Sequence, residues 1–517
     1  MADLIAAVPA LDVRGPGVGD VTAVTYSSRD VTPGACFVAI RGKWTDGHAY
    51  IPDALARGAI VIVGEMPLPD DFPPERTYLR VENPRRELGT LAAAFYGHPS
   101  RQLGIVGVTG TDGKTTTATL IEAMLAAAGR RTGLMSTVDF KIGATRQPNN
   151  TRFTTLEAPE VQRVLAEMVA AGVEDAVVET TSSGLELHRV QGVAYDIAVM
   201  TNITSEHLEV HGTWENYRRA KAMLFEMVDP EREKDIGHRV PRACILNADD
   251  ASFAYLRSFC RAPVLTYSIE QAADVRAEAL ELGVDGTRFR AVFPDGGAYD
   301  MRTPLVARFN VSNCLAALAT GYALGLPAAS MAGALEHFSG VSGRMERIDE
   351  GQPFTVVVDY AHTAESLAKV LEVLRPITRG RLIAVFGSAG DRDRVKRPHM
   401  GAAAARLADF AVITDEDPRE EDAESILREI AAGAIEAGAR EGERFACVVD
   451  RRAGIASAFA MARPGDTVLL AGKGHEQSIF IGREKLPWDD RRVAREELAA
   501  RAHRRGSAEA SSGRPLP

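Results

Sequence analysis

Between Gly107 and Gly129 the chain reads GVTGTDGKTTTATLIEAMLAAAG, and no other stretch restricts the possible folds as strongly. The apolar run Leu103 to Val108 ahead of it reads as a buried strand. Leu120, Ile121, Met124 and Leu125 behind it mark one face of a helix that ends near Gly129. Strand, glycine loop and helix stand in the order of a phosphate-binding loop, whose candidate contacts are Thr109, Gly110, Thr111, Asp112, Gly113, Lys114, Thr115 and Thr116. Gly110 and Gly113 let backbone N–H groups turn towards an anion at the helix N-terminus, Lys114 adds a cation, and the Thr115 hydroxyl can reach a magnesium ion. Strict Walker spacing would put glycine at position 108, where Val108 stands, so this is a variant loop with a tighter GTDGKT core. The alternative is a glycine turn carrying a solvated lysine.

The chain has 517 residues, 45% hydrophobic and 25% charged, enough for roughly three globular domains. No apolar stretch has membrane-spanning length, and the start MADLIAAVPALDV lacks the basic and long apolar regions of a signal peptide, so a cytoplasmic protein without membrane partners is expected. Cys36, Cys244, Cys260, Cys314 and Cys447 are odd in number and scattered, which argues against disulfides and a zinc site. A net charge of −10 without a basic stripe leaves no electrostatic footprint for nucleic acid.

The expected fold class is α/β in three domains. Residues 1–99, with strand-like runs ACFVAI and AIVIVGE, form a small N-terminal α/β domain. Residues 100–338 form a central P-loop ATPase-like domain, because β-like runs such as DAVVETTSS, DIAVMTNIT and ACILNADD alternate with helical stretches and so predict a parallel sheet. Residues 339–498 restart the alternation with FTVVVDYAH, RLIAVFGSAGD, FAVITDEDP and TVLLAGKGHE, a C-terminal Rossmann-like α/β domain. The tail 499–517 reads as disordered. Each strand-like run ends in polar, glycine-rich or acidic residues, and open α/β sheets bind ligands at those ends.

Three residues beyond the loop could hold metal or neutralise transferred charge. Glu179 ends the run EDAVVE and either binds magnesium beside Thr115 or caps a helix. His207 in TNITSEHLEVHG is either a ligand or a loop histidine bonded to backbone. Lys221 in ENYRRAKAMLFEMV has helical spacing and by itself reads as a solvated lysine.

Taken in order, these residues and the motifs GTDGKTTT, TNITSEHLEVHG, FNVSNCLAALA, SGRMERI, DYAHTAESL, GDRDRVKRPHMG and AGKGHE resemble the Mur ligase family, over nearly the whole chain. The resemblance implies an acid–amino-acid ligase of peptidoglycan precursor synthesis that converts ATP to ADP and phosphate. It implies addition of the third amino acid to UDP-N-acetylmuramoyl-L-alanyl-D-glutamate, and a monomer working on small molecules alone. By resemblance Lys114 holds the β- and γ-phosphates, Thr115 and Glu179 bind one Mg2+, and His207 and a carbamylated Lys221 (N6-carboxylysine) serve a second. An unmodified lysine is a cation with no acceptor and would repel the metal. Asn247, Asn310 and Asn313 correspond to residues near the adenine, and Arg344, Asp359 and His362 to nucleotide contacts of the last domain. Ser28, Lys43, Trp44 and Thr45 fall at the uridine diphosphate, and Thr154, Thr155, Thr181 and Arg189 at the muramoyl peptide. A carboxylate is a poor acyl donor, so ATP is expected to phosphorylate it, and the incoming amine to attack the acyl phosphate.

Two departures stand out. LEA follows the paired threonines where the family usually has an early proline, and Ser183 replaces a usual histidine. For the amino acid, the resemblance implies Arg392, Glu416, Asp417, Pro418, Arg419, Gly472 and Glu476. Relatives selecting meso-diaminopimelate carry DNPR where this chain has Glu416 to Arg419. Arg419 could pair with the second carboxylate of diaminopimelate, whereas Asp417 adds a negative charge that favours a cationic amine, unless it pairs with Arg419. Diaminopimelate is expected, with L-lysine and L-ornithine open. The rivals are a folylpolyglutamate synthetase, a P-loop motor or switch, and a nucleotide-binding paralogue that has lost catalysis.

Overall fold

A computed structural model describes residues 1–512 other than 43–44, 69–71, 152, 205–210, 235, 239 and 284–285. Three main sheets follow one another along the chain. The first contains β1 (Asp12–Arg14), β2 (Val24–Thr25), β3 (Cys36–Val38), β4 (Val61–Gly64) and β5 (Thr77–Arg80), in the order β1-β5-β4-β3-β2, with β1 antiparallel.

The second has eleven strands. Its heart comprises β6 (Gly104–Thr109), β7 (Thr132–Met135), β10 (Asp175–Glu179), β11 (Ile197–Met200), β12 (Ala243–Asn247), β13 (Val264–Ser268) and β14 (Val275–Gly283), all parallel. β8 (Asp139–Ile142) and β9 (Thr145–Pro148) extend one edge, and β15 (Gly286–Val292) and β16 (Ala298–Thr303) the other. β6, β10, β11 and β12 are buried along their whole length, as continuous Val, Ile and Ala runs covered by helices on both faces must be. The register pairs Glu179 with Val108 and Met200 with Thr109, so the carboxyl ends of β10, β6 and β11 finish level. The helix Lys114–Ala127 starts directly above that edge.

By contacts the chain falls into two units, one holding residues 1–282 and 286–338 and the other residues 283–285 and 339–517. The first two expected domains therefore share a unit. The reason lies in helix Pro84–Phe95, which packs on the N-terminal sheet and against helix Ala158–Ala170, so that Ala158 joins the same apolar cluster as Val38, Leu88 and Leu91.

The second unit carries β17 (Glu346–Ile348), β18 (Thr355–Asp359), β19 (Leu382–Phe386), β20 (Phe410–Ile413), β21 (Phe445–Cys447) and β22 (Thr467–Ala471), in the order β17-β18-β22-β19-β20-β21. All pair in parallel except β17. Helices Ala364–Leu374, Lys396–Leu407 and Ala423–Glu436 bury Leu371, Met400 and Ile430 against one face, and helices Arg451–Met461 and Asp490–Ser512 bury Phe459 and Val493 against the other. This is the doubly wound α/β arrangement. β23 (Ser478–Ile481) and β24 (Glu484–Pro487) make a separate hairpin. The last helix runs on to Ser512, so the segment 499–512 expected as a disordered tail is helical, an extension of the turn whose Val493 and Leu498 are anchored in the core.

Candidate active site

The turn after β6 runs into the N-terminus of helix Lys114–Ala127, whose first-turn amides have no carbonyl of their own helix to bond. Gly113 adopts φ +80°, and a Cβ there would stand 2.2 Å from Asn313 Oδ1. Gly110, at φ +153°, would drive a Cβ to 1.8 Å from Thr201 Oγ1. Only glycine satisfies both the dihedral and the space. The turn is braced from β11: Thr111 N donates to Asn202 O at 2.7 Å, Asp112 N to Asn202 Oδ1 at 3.0 Å, and Thr201 Oγ1 to Asp112 O at 2.6 Å. Lys114 Nζ folds back onto Thr111 O at 2.7 Å.

Glu179, at the end of β10, is buried, and both its carboxylate oxygens accept from Thr115 Oγ1 at 3.1 Å. Thr137 adds its N–H at 2.8 Å and its hydroxyl at 3.0 Å. The carboxylate therefore belongs to the phosphate loop and caps no helix of its own. Lys221 is likewise no solvated residue: it is 1% exposed, donates from Nζ to Gly110 O at 2.6 Å and lies 4.3 Å from the centre of the Tyr217 ring. The Tyr217 hydroxyl is 3.0 Å from Thr111 Oγ1. His207 lies outside the described residues. Its neighbour in the motif, His211, is buried, with Nε2 3.0 Å from Ser182 Oγ and Nδ1 2.9 Å from Glu186 Oε2.

The same edge gathers four further candidates. Thr154 Oγ1 lies 3.0 Å from Thr137 Oγ1, Thr155 Oγ1 donates to Glu179 O at 3.2 Å and lies 3.1 Å from Thr181 Oγ1, and Arg189 Nη1 reaches Thr155 O at 3.1 Å. Ser183, the departure from the family pattern, sits with its hydroxyl 3.4 Å from that of Thr181. Asn313 accepts from Thr117 Oγ1 at 3.3 Å and donates to Asn310 Oδ1 at 3.0 Å, while Asn247 donates to Thr201 O at 2.8 Å. Thr109 and Thr116 are buried in the loop and its helix. Ser28 is buried beside Asp53, and Thr45 is exposed; Lys43 and Trp44 lie outside the described residues.

In the second unit Asp359 accepts from Met345 N at 2.8 Å and Ala361 N at 2.9 Å. Arg344 lies over the Tyr360 ring at 4.8 Å and the His362 ring is 4.6 Å from it. The Tyr360 ring is in turn 5.0 Å from that of His475 in the AGKGHE segment, whose imidazole is held down to about 3 by burial and by Arg344. The loop after β19 is fastened to the loop after β20, since Gly390 N donates to Asp417 O at 2.8 Å and fully buried Arg397 holds Glu421 and Glu429. Arg392 is exposed on the first of these loops.

The Asp417–Arg419 pair considered from the sequence is replaced by another. Asp417 Oδ1 accepts from Lys473 Nζ at 2.8 Å and from Phe480 N at 2.9 Å. Arg419, at φ +54° after Pro418, lies 5.6 Å from the centre of the Phe480 ring, and its buried Nε has no hydrogen-bond partner among the described residues. Glu416 packs against Gly472, and burial pushes its carboxyl up to about 7 against the pull of Lys396 and Lys473. Between pH 4.5 and about 7 the unfolded chain loses the Glu416 proton while the folded one keeps it, so folding is increasingly opposed as pH rises, and the cost is constant above that window. Glu416→Gln should therefore raise Tm by about 2–4 °C at pH 8 and by much less at pH 5; equal shifts at the two pH values, measured by calorimetry, would reject the assignment.

Thr137, Asn202, His211, Tyr217 and Lys473 were not singled out from the sequence. Asn202 and His211 sit in TNITSEHLEVHG, Lys473 sits in AGKGHE, and Tyr217 precedes Lys221 by one helical turn, so a signal existed for four of them. Thr137 carried none.

An amide cradle at a helix N-terminus, a lysine, and a strand-end carboxylate on the first helical threonine define an α/β enzyme of the P-loop type that works on a nucleotide phosphate. Comparison with known proteins is consistent with this class and narrows it. The Mur ligase middle domain matches residues 108–321, the Mur ligase glutamate ligase domain residues 343–474, and the Mur ligase family catalytic domain residues 20–96. A UDP-N-acetylmuramyl-tripeptide synthetase of Roseiflexus sp. (strain RS-1) is 53% identical over 93% of this chain and 95% of its own. A UDP-N-acetylmuramoyl-L-alanyl-D-glutamate–2,6-diaminopimelate ligase of Bacillus velezensis is 42% identical over 92% of this chain and 94% of its own. A solved structure of a ligase of that same description superposes with a TM-score of 0.67 at 31% identity, covering 93% of this chain and 96% of that one. The chain belongs to the Mur ligase family, and is an ATP-dependent acid–amino-acid ligase of peptidoglycan precursor synthesis. Among the described residues no helix is long and apolar enough to cross a membrane.

Proposed function

We propose that this ligase adds meso-diaminopimelate, as the third amino acid, to UDP-N-acetylmuramoyl-L-alanyl-D-glutamate. The γ-phosphoryl of ATP passes to the terminal carboxylate of the dipeptide, and the amine attacks the resulting acyl phosphate with loss of phosphate. The observation that carries the reading is the meeting of the Thr115 hydroxyl and the Glu179 carboxylate, 3.1 Å apart, at the mouth of the amide cradle. Lys114 and the loop amides stabilise charge on the transferring group. Two hard oxygen donors at one point suit Mg2+, so Thr115 and Glu179 would hold one ion. His207 and Lys221 as N6-carboxylysine would serve a second, a role consistent with the burial of Lys221 against the phosphate turn. Magnesium, when bound, neutralises charge on the β- and γ-phosphates. Asn247, Asn310 and Asn313 are assigned to the adenine side, and Thr154, Thr155, Thr181 and Arg189 to the muramoyl peptide. Residues 1–99, with Ser28, Lys43, Trp44 and Thr45, are assigned to the uridine diphosphate. Residues 339–498 are assigned to the amino acid, through Arg392, Glu416, Asp417, Pro418, Arg419, Gly472 and Glu476. A cytoplasmic monomer completes the reading.

Diaminopimelate is favoured over lysine or ornithine by Arg419, whose unpartnered Nε can meet a second carboxylate. Phosphate release should require ATP, the UDP-muramoyl dipeptide and an amino acid together. Offered in turn, diaminopimelate should exceed lysine and ornithine in kcat/KM on the order of 10- to 100-fold, the worth of one charged hydrogen-bonded pair. ATP turnover without either acceptor would remove the ligase reading, and equal use of lysine would remove the choice of amino acid.

A further inference from the structure

The segment AGKGHE contributes Gly472 and Glu476 to the proposed amino-acid pocket, but Lys473 between them has been given no task. Its side chain is 0% exposed, and Nζ bridges two acids, Asp417 Oδ1 at 2.8 Å and Glu476 Oε2 at 2.6 Å. A lysine so buried is retained only when paired.

We propose that Lys473 is a specificity-determining positioning residue that acts through Asp417, cancelling its charge so that the pocket holds no surplus negative charge to favour a lone ammonium over a zwitterionic far end. The inference rests on the diaminopimelate reading above. Counting charges around the Asp417 carboxylate makes the point. Arg419 and Lys473 are positive and Asp417 and Glu476 negative, four charges that sum to zero, and buried Arg451, which also acts on Asp417, is neutralised by Asp490 at 2.6 Å. The far end of diaminopimelate carries one ammonium and one carboxylate, also zero, whereas lysine ends in a lone ammonium. Glu416 and the neighbouring Lys396 are common to every variant considered and drop out of the comparison. Without Lys473 the pocket is one unit negative, which suits the lysine end and repels the second carboxylate. The asparagine-like geometry survives, because Asp417 Oδ1 also accepts from Phe480 N at 2.9 Å, and the amide oxygen of asparagine could accept the same two bonds.

The experiment measures kcat and KM for diaminopimelate and for lysine in the full-length enzyme and in Lys473→Met, Asp417→Asn and the double variant. Lys473→Met should raise KM for diaminopimelate at least about tenfold and shift the diaminopimelate-to-lysine ratio by the same factor, with KM for ATP unchanged. Adding Asp417→Asn should return most of that loss, since both charges are then gone. A lysine that merely held the fold would depress every substrate alike, and removing its partner would not repair it. If Lys473→Met does not fold, Asp417→Asn alone decides: the pocket becomes one unit positive, and the ratio should rise several-fold in favour of diaminopimelate. A wild-type enzyme that prefers lysine would overturn the diaminopimelate reading and this inference with it. A wild type that prefers diaminopimelate, with no repair in the double variant and no change in Asp417→Asn, would overturn the inference and leave the reading standing.

Discussion

Lys114→Ala should lower kcat for ligation by about three orders of magnitude or more, with Tm nearly unchanged. One donor removed from a preorganised charge-stabilising site typically costs about 100- to 1,000-fold, and Lys114 brings a full charge to the group in transfer. Folding has little stake in it, since the side chain is only partly buried and its bond to Thr111 O at 2.7 Å closes a loop already braced by Asn202 and Thr201. Single-turnover phosphate transfer and a thermal melt would check both halves. A loss under tenfold would mean that Lys114 does not meet the transferring phosphoryl group.

Lys221→Ala should also lower ligation, by about 100-fold or more on the same scale, and here the second observation matters more than the first. Added formate or acetate should restore part of the activity, because a small carboxylate can occupy the space left by the side chain and replace the anion of a carbamate. Lys221→Arg should be inactive and indifferent to carboxylates, since it keeps the cation and fills the space. An alanine variant that stays active, or one that is dead and not rescued, would leave Lys221 as a plain ammonium holding Gly110 O at 2.6 Å.

Much of this could be read before any coordinates. Local patterns supplied the phosphate turn, because its glycines, lysine and threonine lie within six residues between a strand and a helix. They also supplied the alternation of strands and helices, since a buried parallel strand must be apolar throughout. Glu179 is singled out because it closes such a run, and strand ends are where ligands meet a sheet. Two residues take their meaning from surroundings that local pattern does not record. Helical spacing shows which face Lys221 occupies and not what covers it, and nearness along the chain does not settle the partner of Asp417 across a left-handed turn at Arg419.

What the linear chain determined by itself was the chemistry available: a nucleotide-phosphate turn, a strand-end acid, and an α/β framework to carry them, all set by spacings of a few residues. What only the tertiary structure decided was the partners. Thr137 meets Glu179 across 42 positions, Lys221 meets Gly110 across 111, and Lys473 meets Asp417 across 56. Periodicity records how each segment presents its own side chains to a core. Which distant segment arrives opposite is fixed by sheet order and register, and those depend on the packing of the whole unit.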